Sequence, residues 1–357
     1  MEEPKKILCV DYFTENDVKG GVQTLMTEFD SWNEVESKNI NADYAAHITS
    51  NTLQGDYHTC RSRALSDYVN AYTISNDVDL VVQNSIVAKL HKYNARTVSV
   101  INDNNISGVN TCVFHGKMKG VQQDALGNKL LMCQIASCNS SDVVVSVSEP
   151  VRRNYLETLG IDSVVINPGI DASNILNKDP ILTEVVRREL GLPKKEKTGI
   201  IVTSFYPVKG WDVQAEIIKR HPEINWIIVN SHNMDVFKTK RPNVFYLGCL
   251  NRKDLQRAYI AADFLINTSR YETFGIAALE AMAADVPLIM SNTGLCWDKK
   301  GVTDFGIVVD DYSVSAFSSA INEFYESSYI FEPRKHVEAN YGIERWRKGW
   351  RDILYHL

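Results

Sequence analysis

Phe264-Leu-Ile-Asn-Thr-Ser-Arg-Tyr-Glu-Thr-Phe-Gly-Ile-Ala-Ala-Leu-Glu-Ala-Met-Ala-Ala-Asp-Val-Pro-Leu-Ile-Met290 is the stretch from which the fold is read. Its first three residues are a short apolar strand, and a polar turn holding Glu272 and Gly275 follows. An alanine-rich run then favours helix, and Pro287-Leu-Ile-Met290 reads as a second strand. Strand, crossover helix and strand make a βαβ unit, which belongs to a parallel sheet. Gly275 removes a side chain where a backbone must come close to a ligand, and the small Ala277 and Ala278 keep the first helical turn slim. Exposed N–H groups and the positive end of the helix dipole then form a seat for phosphate. Glu280, about one turn further in, aims a carboxylate at the same crevice at a distance suited to hydroxyl groups, and Glu272 reaches the far end of the same ligand.

The same pattern extends in both directions. Lys6-Ile-Leu-Cys-Val-Asp11, Asp79-Leu-Val-Val-Gln83, Thr97-Val-Ser-Val-Ile101, Asp142-Val-Val-Val-Ser-Val147 and Ser163-Val-Val-Ile166 are near-continuous apolar runs between longer helical stretches. Strands of this kind are covered by helices on both faces. After Pro168-Gly169 the pattern restarts with Gly199-Ile-Ile-Val-Thr203, Trp226-Ile-Ile-Val229, Val244-Phe-Tyr-Leu247 and, past the opening stretch, Gly306-Ile-Val-Val309. The fold class is therefore α/β, with two doubly wound domains at 1–170 and 171–340. A connector helix is predicted over 183–190. Trp346, Trp350, Ile353, Leu354 and Leu357 recur at helical spacing, so 341–357 is predicted as an amphipathic helix packing back toward the first domain.

Composition bounds the function. With 357 residues, 44% hydrophobic and 23% charged, the chain is neither disordered nor fibrous, and its length allows two sizeable cores. Lys and Arg number 38 against 44 Asp and Glu, and the net charge of -6 carries no block of like sign, so nothing global invites a polyanion. The seven cysteines are scattered without a C-x2-C pair and read as reduced thiols rather than zinc ligands or disulfides. The apolar run after the first six residues is too short for a signal-peptide core, and no stretch reaches the roughly 18 apolar residues of a membrane span. A cytoplasmic protein is expected.

The motifs also resemble a known family. Glu272-x7-Glu280, with Thr273-Phe274-Gly275 inside it and Ala281-Met282-Ala283 after it, resembles the signature of retaining nucleotide-sugar glycosyltransferases of family four, which have the GT-B fold. Gly20-Gly21-Val22 resembles that family's N-terminal glycine loop. Val145-Ser-Val-Ser148-Glu149 and Asn167-Pro168-Gly169-Ile170-Asp171 resemble the end of its first domain. Pro207-Val208-Lys209-Gly210 and Asn243-Val-Phe-Tyr-Leu-Gly248 resemble blocks of its donor domain. The resemblance implies two Rossmann-like domains facing a cleft, the first taking the acceptor and the second a nucleoside-diphosphate sugar, with no metal and no other cofactor. It also implies roles: Glu280 on the ribose hydroxyls, Glu272 on the transferred sugar, and Lys209 on the diphosphate. The backbone at Gly20, Gly21, Thr273, Phe274 and Gly275 completes the donor clamp, with Arg270 as a further cation.

Departures from the family pattern qualify these roles. Ser204 stands where the family often has an Arg, so one cation expected on the diphosphate is missing. Val100-Ile101-Asn102-Asp103-Asn104 replaces a usual His-Asp pair; Asn102 can hydrogen-bond a sugar hydroxyl but is no base near neutral pH, and Asp103 keeps a carboxylate at the expected reaction face. Asp103 reads equally as a turn former in its Asn-rich run. Asp285 stands where a Gly is common. The expected function is retaining, metal-independent transfer to an acceptor hydroxyl, with a saccharide or glycoconjugate favoured as acceptor. The alternatives are transfer to a hydroxymethylated DNA base and a catalytically weakened GT-B binding subunit. A DNA or membrane acceptor would use basic groups such as Lys89, His91, Lys92 and Arg96, the Lys117 to Lys119 loop, or Arg61 to Arg63, read as a loop. A dinucleotide oxidoreductase is disfavoured because no G-x-G-x-x-G follows a strand. No motif in the sequence distinguishes the donor base or sugar, the acceptor or an oligomeric state.

Overall fold

The computed structural model describes residues 4–11, 28–41, 57–87, 92–102, 121–193, 196–204, 207–230 and 241–356. The chain divides into two compact units, Met1–Asn167 with Arg347–Leu357, and Pro168–Trp346.

The first unit is built on six strands: β1 (Lys5–Val10), β2 (Val35–Ile40), β3 (Leu80–Asn84), β4 (Arg96–Ile101), β5 (Val143–Ser146) and β6 (Val164–Val165). They lie in the order β2-β1-β3-β4-β5-β6 with every pair parallel. The sequence reading missed β2, because Val-Glu-Ser-Lys-Asn-Ile is an edge strand with mostly solvated side chains and so lacks the apolar run of a central strand. Among the described residues the unit also holds helices α1 (Tyr57–Ser75), α2 (Val121–Ser140) and α3 (Glu149–Leu159). Arg61 to Arg63 lie in α1 rather than in a loop: Ala64, Leu65 and Val69 recur at helical spacing and are buried against Leu8, Val10, Ile40 and Val81. Strand β3 also departs from the apolar expectation. Buried Gln83 donates from Nε2 to Ser137 Oγ of α2 (2.6 Å), and Ser137 meets Ser99 of β4 (2.6 Å), so this helix docks on the sheet partly through hydroxyl groups.

Helix α10 (Ile343–His356) supplies the residues that return to the first unit. Trp350 packs edge-on against Phe29 (4.9 Å between ring centroids), and Arg351 holds the Glu34 carboxylate through Nε and Nη2, which keeps that carboxyl below its ordinary range. Arg96 donates to the Ile353 carbonyl (3.1 Å), so it is committed to α10 rather than to a basic surface patch. Lys89, His91 and Lys117 to Lys119 lie outside the described residues.

The second unit has strands β7 (Thr198–Thr203), β8 (Asn225–Asn230), β9 (Val244–Gly248), β10 (Phe264–Asn267), β11 (Leu288–Ser291), β12 (Gly301–Val302) and β13 (Gly306–Val309), in the order β12-β13-β11-β10-β7-β8-β9. All pairs are parallel except β12 with β13, a two-residue exposed edge too short to read from sequence. Helices α4 (Pro180–Glu189), α5 (Trp211–Arg220), α6 (Arg252–Ala261), α7 (Ile276–Ala283), α8 (Val314–Glu326) and α9 (Pro333–Asn340) flank the sheet. Ile201, Trp226, Ile228, Phe264, Ile289 and Phe317 centre the core. The strand order reverses between β7 and β10, and in an open parallel sheet the crevice beyond the carboxyl ends at that reversal is where ligands bind. No helix among the described residues is long and apolar enough to cross a membrane.

At the end of α7 the chain turns through Asp285 at φ 62°, the left-handed conformation that favours glycine. The Asp285 carboxylate accepts from the Arg334 backbone N–H at the start of α9 (3.3 Å), a long bond that offsets only part of the strain. Asp285→Gly is therefore expected to raise stability by about 0.5 kcal/mol and Asp285→Val to lower it by about 2 kcal/mol in denaturant unfolding.

Candidate active site

Two backbones in contact build the site. Strand β7 leads through a tight turn, Pro207–Lys209, to Gly210 and then into α5. Gly210 has φ 67°, and a Cβ there would sit 2.2 Å from the Thr268 carbonyl oxygen, just after β10. Thr268 Oγ1 donates to the Gly210 carbonyl (3.0 Å) and the Arg270 N–H to the Val208 carbonyl (2.7 Å). The loops on either side of the strand reversal are thereby stapled together.

That staple brings Lys209 and Glu272 into one ion pair, with Lys209 Nζ 2.9 Å from Glu272 Oε1 and 2.8 Å from Oε2. Oε1 also accepts from Ser269 Oγ (2.7 Å) and Asn267 Nδ2 (3.3 Å), while Asn267 Oδ1 accepts the Ser269 N–H (2.8 Å). The Glu272 N–H donates to Thr293 Oγ1 beyond β11 (2.9 Å). Glu272 is only 8% exposed. Burial alone would push its carboxyl up, but the Lys209 charge and the Lys209, Ser269 and Asn267 hydrogen bonds outweigh burial and hold it below the ordinary range.

Glu280 has the opposite environment. It lies half-buried in α7 and receives one long hydrogen bond, from the fully buried Tyr259 hydroxyl of α6 (3.3 Å). Burial pushes its carboxyl above the ordinary range, against the Arg252 charge and the Tyr259 bond. The desolvated Tyr259 phenol, beside that carboxylate, is itself pushed well above its usual range. One carboxylate is thus compensated inside the protein and the other is not.

The second unit brings Lys209, Arg270, Glu272, Thr273, Phe274, Gly275 and Glu280 to the carboxyl end of its sheet, around β7, β10 and α7. Two of the cations among them are already paired with carboxylates in the protein. Lys209 is engaged by Glu272. Arg270 makes a two-pronged contact with Asp212 (2.9 and 2.6 Å), so its charge is already matched. The Phe274 side chain is buried against Tyr341, so it packs in the core and leaves only its backbone for a ligand. Gly275 caps α7 at φ 102°; a Cβ there meets nothing closer than 3.5 Å, so the dihedral and not crowding demands glycine. Ser204 follows β7, half-buried. Asn102 belongs to the first unit, at the end of β4, where both atoms of its buried amide have no hydrogen-bond partner among the described residues. Gly20, Gly21 and Asp103 lie outside the described residues. Asn267, Ser269 and Thr293, which orient Glu272, and Tyr259, which holds Glu280, were not singled out from sequence. The available signal was the switch from apolar to polar residues where β10 and β11 end.

Residues 183–342 match the family of glycosyl transferases group 1. The matched stretch takes in the whole site, from Lys209 to Glu280. A D-inositol 3-phosphate glycosyltransferase from Corynebacterium aurimucosum is 25% identical over 224 residues, which are 57% of this chain and 52% of that protein. The chain thus spans about half the length of that relative. A sucrose-phosphate synthase from Thermosynechococcus elongatus is similar in structure, with a TM-score of 0.76 at 16% identity over 98% of both chains. Anabaena HepE, solved in complex with UDP and glucose, gives 0.69 at 15% identity over 99% of this chain and 100% of its own. Such likenesses are of fold, and the fold is that of the GT-B glycosyltransferases.

The two glutamates of the site should affect stability with opposite signs. Glu272 titrates below the ordinary value near 4.5, so its stabilisation is complete above that pH and is lost as the pH falls through its folded value. Glu272→Gln is expected to cost about 2 kcal/mol at pH 7, with the deficit shrinking in acid. Glu280 titrates above the same value, so its ionised form is unfavourable in the folded chain at neutral pH. Glu280→Gln is expected to raise the unfolding midpoint of the unliganded protein at pH 7 and to give no gain at pH 4. Thermal unfolding of both variants across that range measures the contrast.

Proposed function

We propose that the protein is a glycosyltransferase that moves a sugar from a nucleoside-diphosphate sugar to an acceptor hydroxyl, with retention at the anomeric carbon and without a metal. The observation that carries this reading is the meeting of Lys209 and Glu272 at the strand reversal, with Glu280 on the adjoining helix. A buried carboxylate for the sugar, a cation and a helix N-terminus for the diphosphate, and a second carboxylate for the ribose are the groups that a nucleotide sugar requires. Glu280, short of donors, takes the ribose hydroxyls. The first turn of α7 and Lys209 take the diphosphate. Glu272 takes hydroxyls of the transferred sugar. The UDP bound in a protein of the same fold supports a nucleotide donor.

In the reaction, the bond from the anomeric carbon to the diphosphate oxygen breaks as the acceptor oxygen bonds the same face of that carbon. The acceptor proton passes to the departing phosphate oxygen, so the leaving group serves as base and no histidine is needed where Asn102 stands. Charge growing on the diphosphate is met by Lys209 and by backbone N–H groups, a stabilisation that needs no ion. The first unit takes the acceptor, a saccharide or glycoconjugate, and the unsatisfied amide of Asn102 suits a sugar hydroxyl.

Thermal shifts with UDP, GDP, ADP and their sugar conjugates test the donor site. One nucleotide series is expected to stabilise the wild type, with about tenfold weaker binding to Glu280→Ala. Equal binding to both proteins would overturn the ribose assignment. Inverted product would overturn retention, and loss of transfer on chelation would overturn the metal-free mechanism.

A further inference from the structure

The two ends of the Lys209–Glu272 ion pair differ in their donors and in their exposure. Glu272 Oε1 has three donors, Lys209, Ser269 and Asn267. Oε2 has one among the described residues, Lys209 (2.8 Å). The two partners are unequally accessible, since the Lys209 side chain is 30% exposed and that of Glu272 10%. An incoming anion can therefore reach the ammonium while the carboxylate stays out of water. An anion that draws Lys209 away strips Oε2 of its donor and leaves a buried charge uncompensated, an arrangement that is strongly unfavourable.

We propose that Lys209 is exchanged between Glu272 and the diphosphate, and that Glu272 thereby acts as an internal competitor selecting intact donor over spent nucleoside diphosphate. The inference rests on the donor-site reading above. An intact nucleotide sugar takes Lys209 with its diphosphate and returns hydroxyl donors to Oε2 with its sugar, so both ends of the exchange are satisfied. A nucleoside diphosphate takes the lysine and returns nothing. Once the sugar has left, recapture of Lys209 by Glu272 weakens the hold on the product and favours its release. The same pair thus couples recognition of the diphosphate to recognition of the sugar, although neither group touches both. Ser269 sets how costly the loss of Lys209 is, because its hydroxyl is the shortest bond left on the carboxylate.

Titration calorimetry with the nucleoside diphosphate and the nucleotide sugar that bind the wild type tests this. Glu272→Gln frees Lys209 and removes the buried charge. It is expected to tighten nucleoside diphosphate binding by about fivefold or more and to weaken binding of the nucleotide sugar, which reverses the wild-type preference. Ser269→Ala is expected to act oppositely, weakening the nucleoside diphosphate more than the sugar conjugate, and it keeps the test intact if Glu272→Gln folds poorly. An unchanged ratio of the two affinities in both variants, with nucleotide binding still dependent on Glu280, would overturn the exchange while leaving the donor site standing. Absence of nucleotide binding to the wild type itself would overturn the donor site and the exchange together.

Discussion

The site in the second unit depends on how closely two backbones approach, Gly210 after β7 and Thr268 after β10. Side chains attached to different strands of a parallel sheet would normally be held apart by the strand spacing and by the loops. Here the missing Cβ and the hydrogen bonds across the contact bring the loops together, and Lys209 and Glu272 fall within reach as a consequence. Any side chain at 210 would need both a left-handed backbone and space already filled by a carbonyl. The ion pair is therefore a product of backbone geometry.

The pair of glutamates shows how folding and function divide the same residue type. Glu272 has its donors within the protein, so its ionised form stabilises the fold. Glu280 is poorly served, with one long bond from Tyr259, so its ionised form is costly in the folded chain. Titratable groups whose surroundings push them in opposite directions are a signature of functional sites. The contrast arises from the neighbours: Lys209, Ser269 and Asn267 donate to one carboxylate, and a single long bond from Tyr259 reaches the other.

Much of the fold was legible. Central strands with two buried faces announce themselves as apolar runs, and the expected pair of doubly wound units is observed, with strand ends differing by a residue or two. Edge strands β2 and β12 were not legible, because a strand exposed along one side has no need of an apolar sequence. Arg61 to Arg63 were misread as a loop because Tyr57-His-Thr-Cys-Arg-Ser-Arg63 carries no apolar periodicity, although it opens a helix. Within the site, the spacing of Glu272 and Glu280 and the presence of Lys209 were readable, but the state of each charge was not.

What the sequence by itself determined is the inventory: alternating strands and helices, a glycine and an acidic residue at each end of a helix start, and a lysine after an earlier strand. What only the tertiary structure decided is pairing. Lys209 lies 63 residues from Glu272 in sequence, and no local pattern records that they share two hydrogen bonds. Arg270 finds Asp212 58 residues away, and Glu280 finds Tyr259 through the packing of two helices. Local periodicity fixes the elements because it reflects burial along one strand or helix. Charge compensation depends on distance and burial in three dimensions, and those exist only once the sheet has brought its carboxyl ends together.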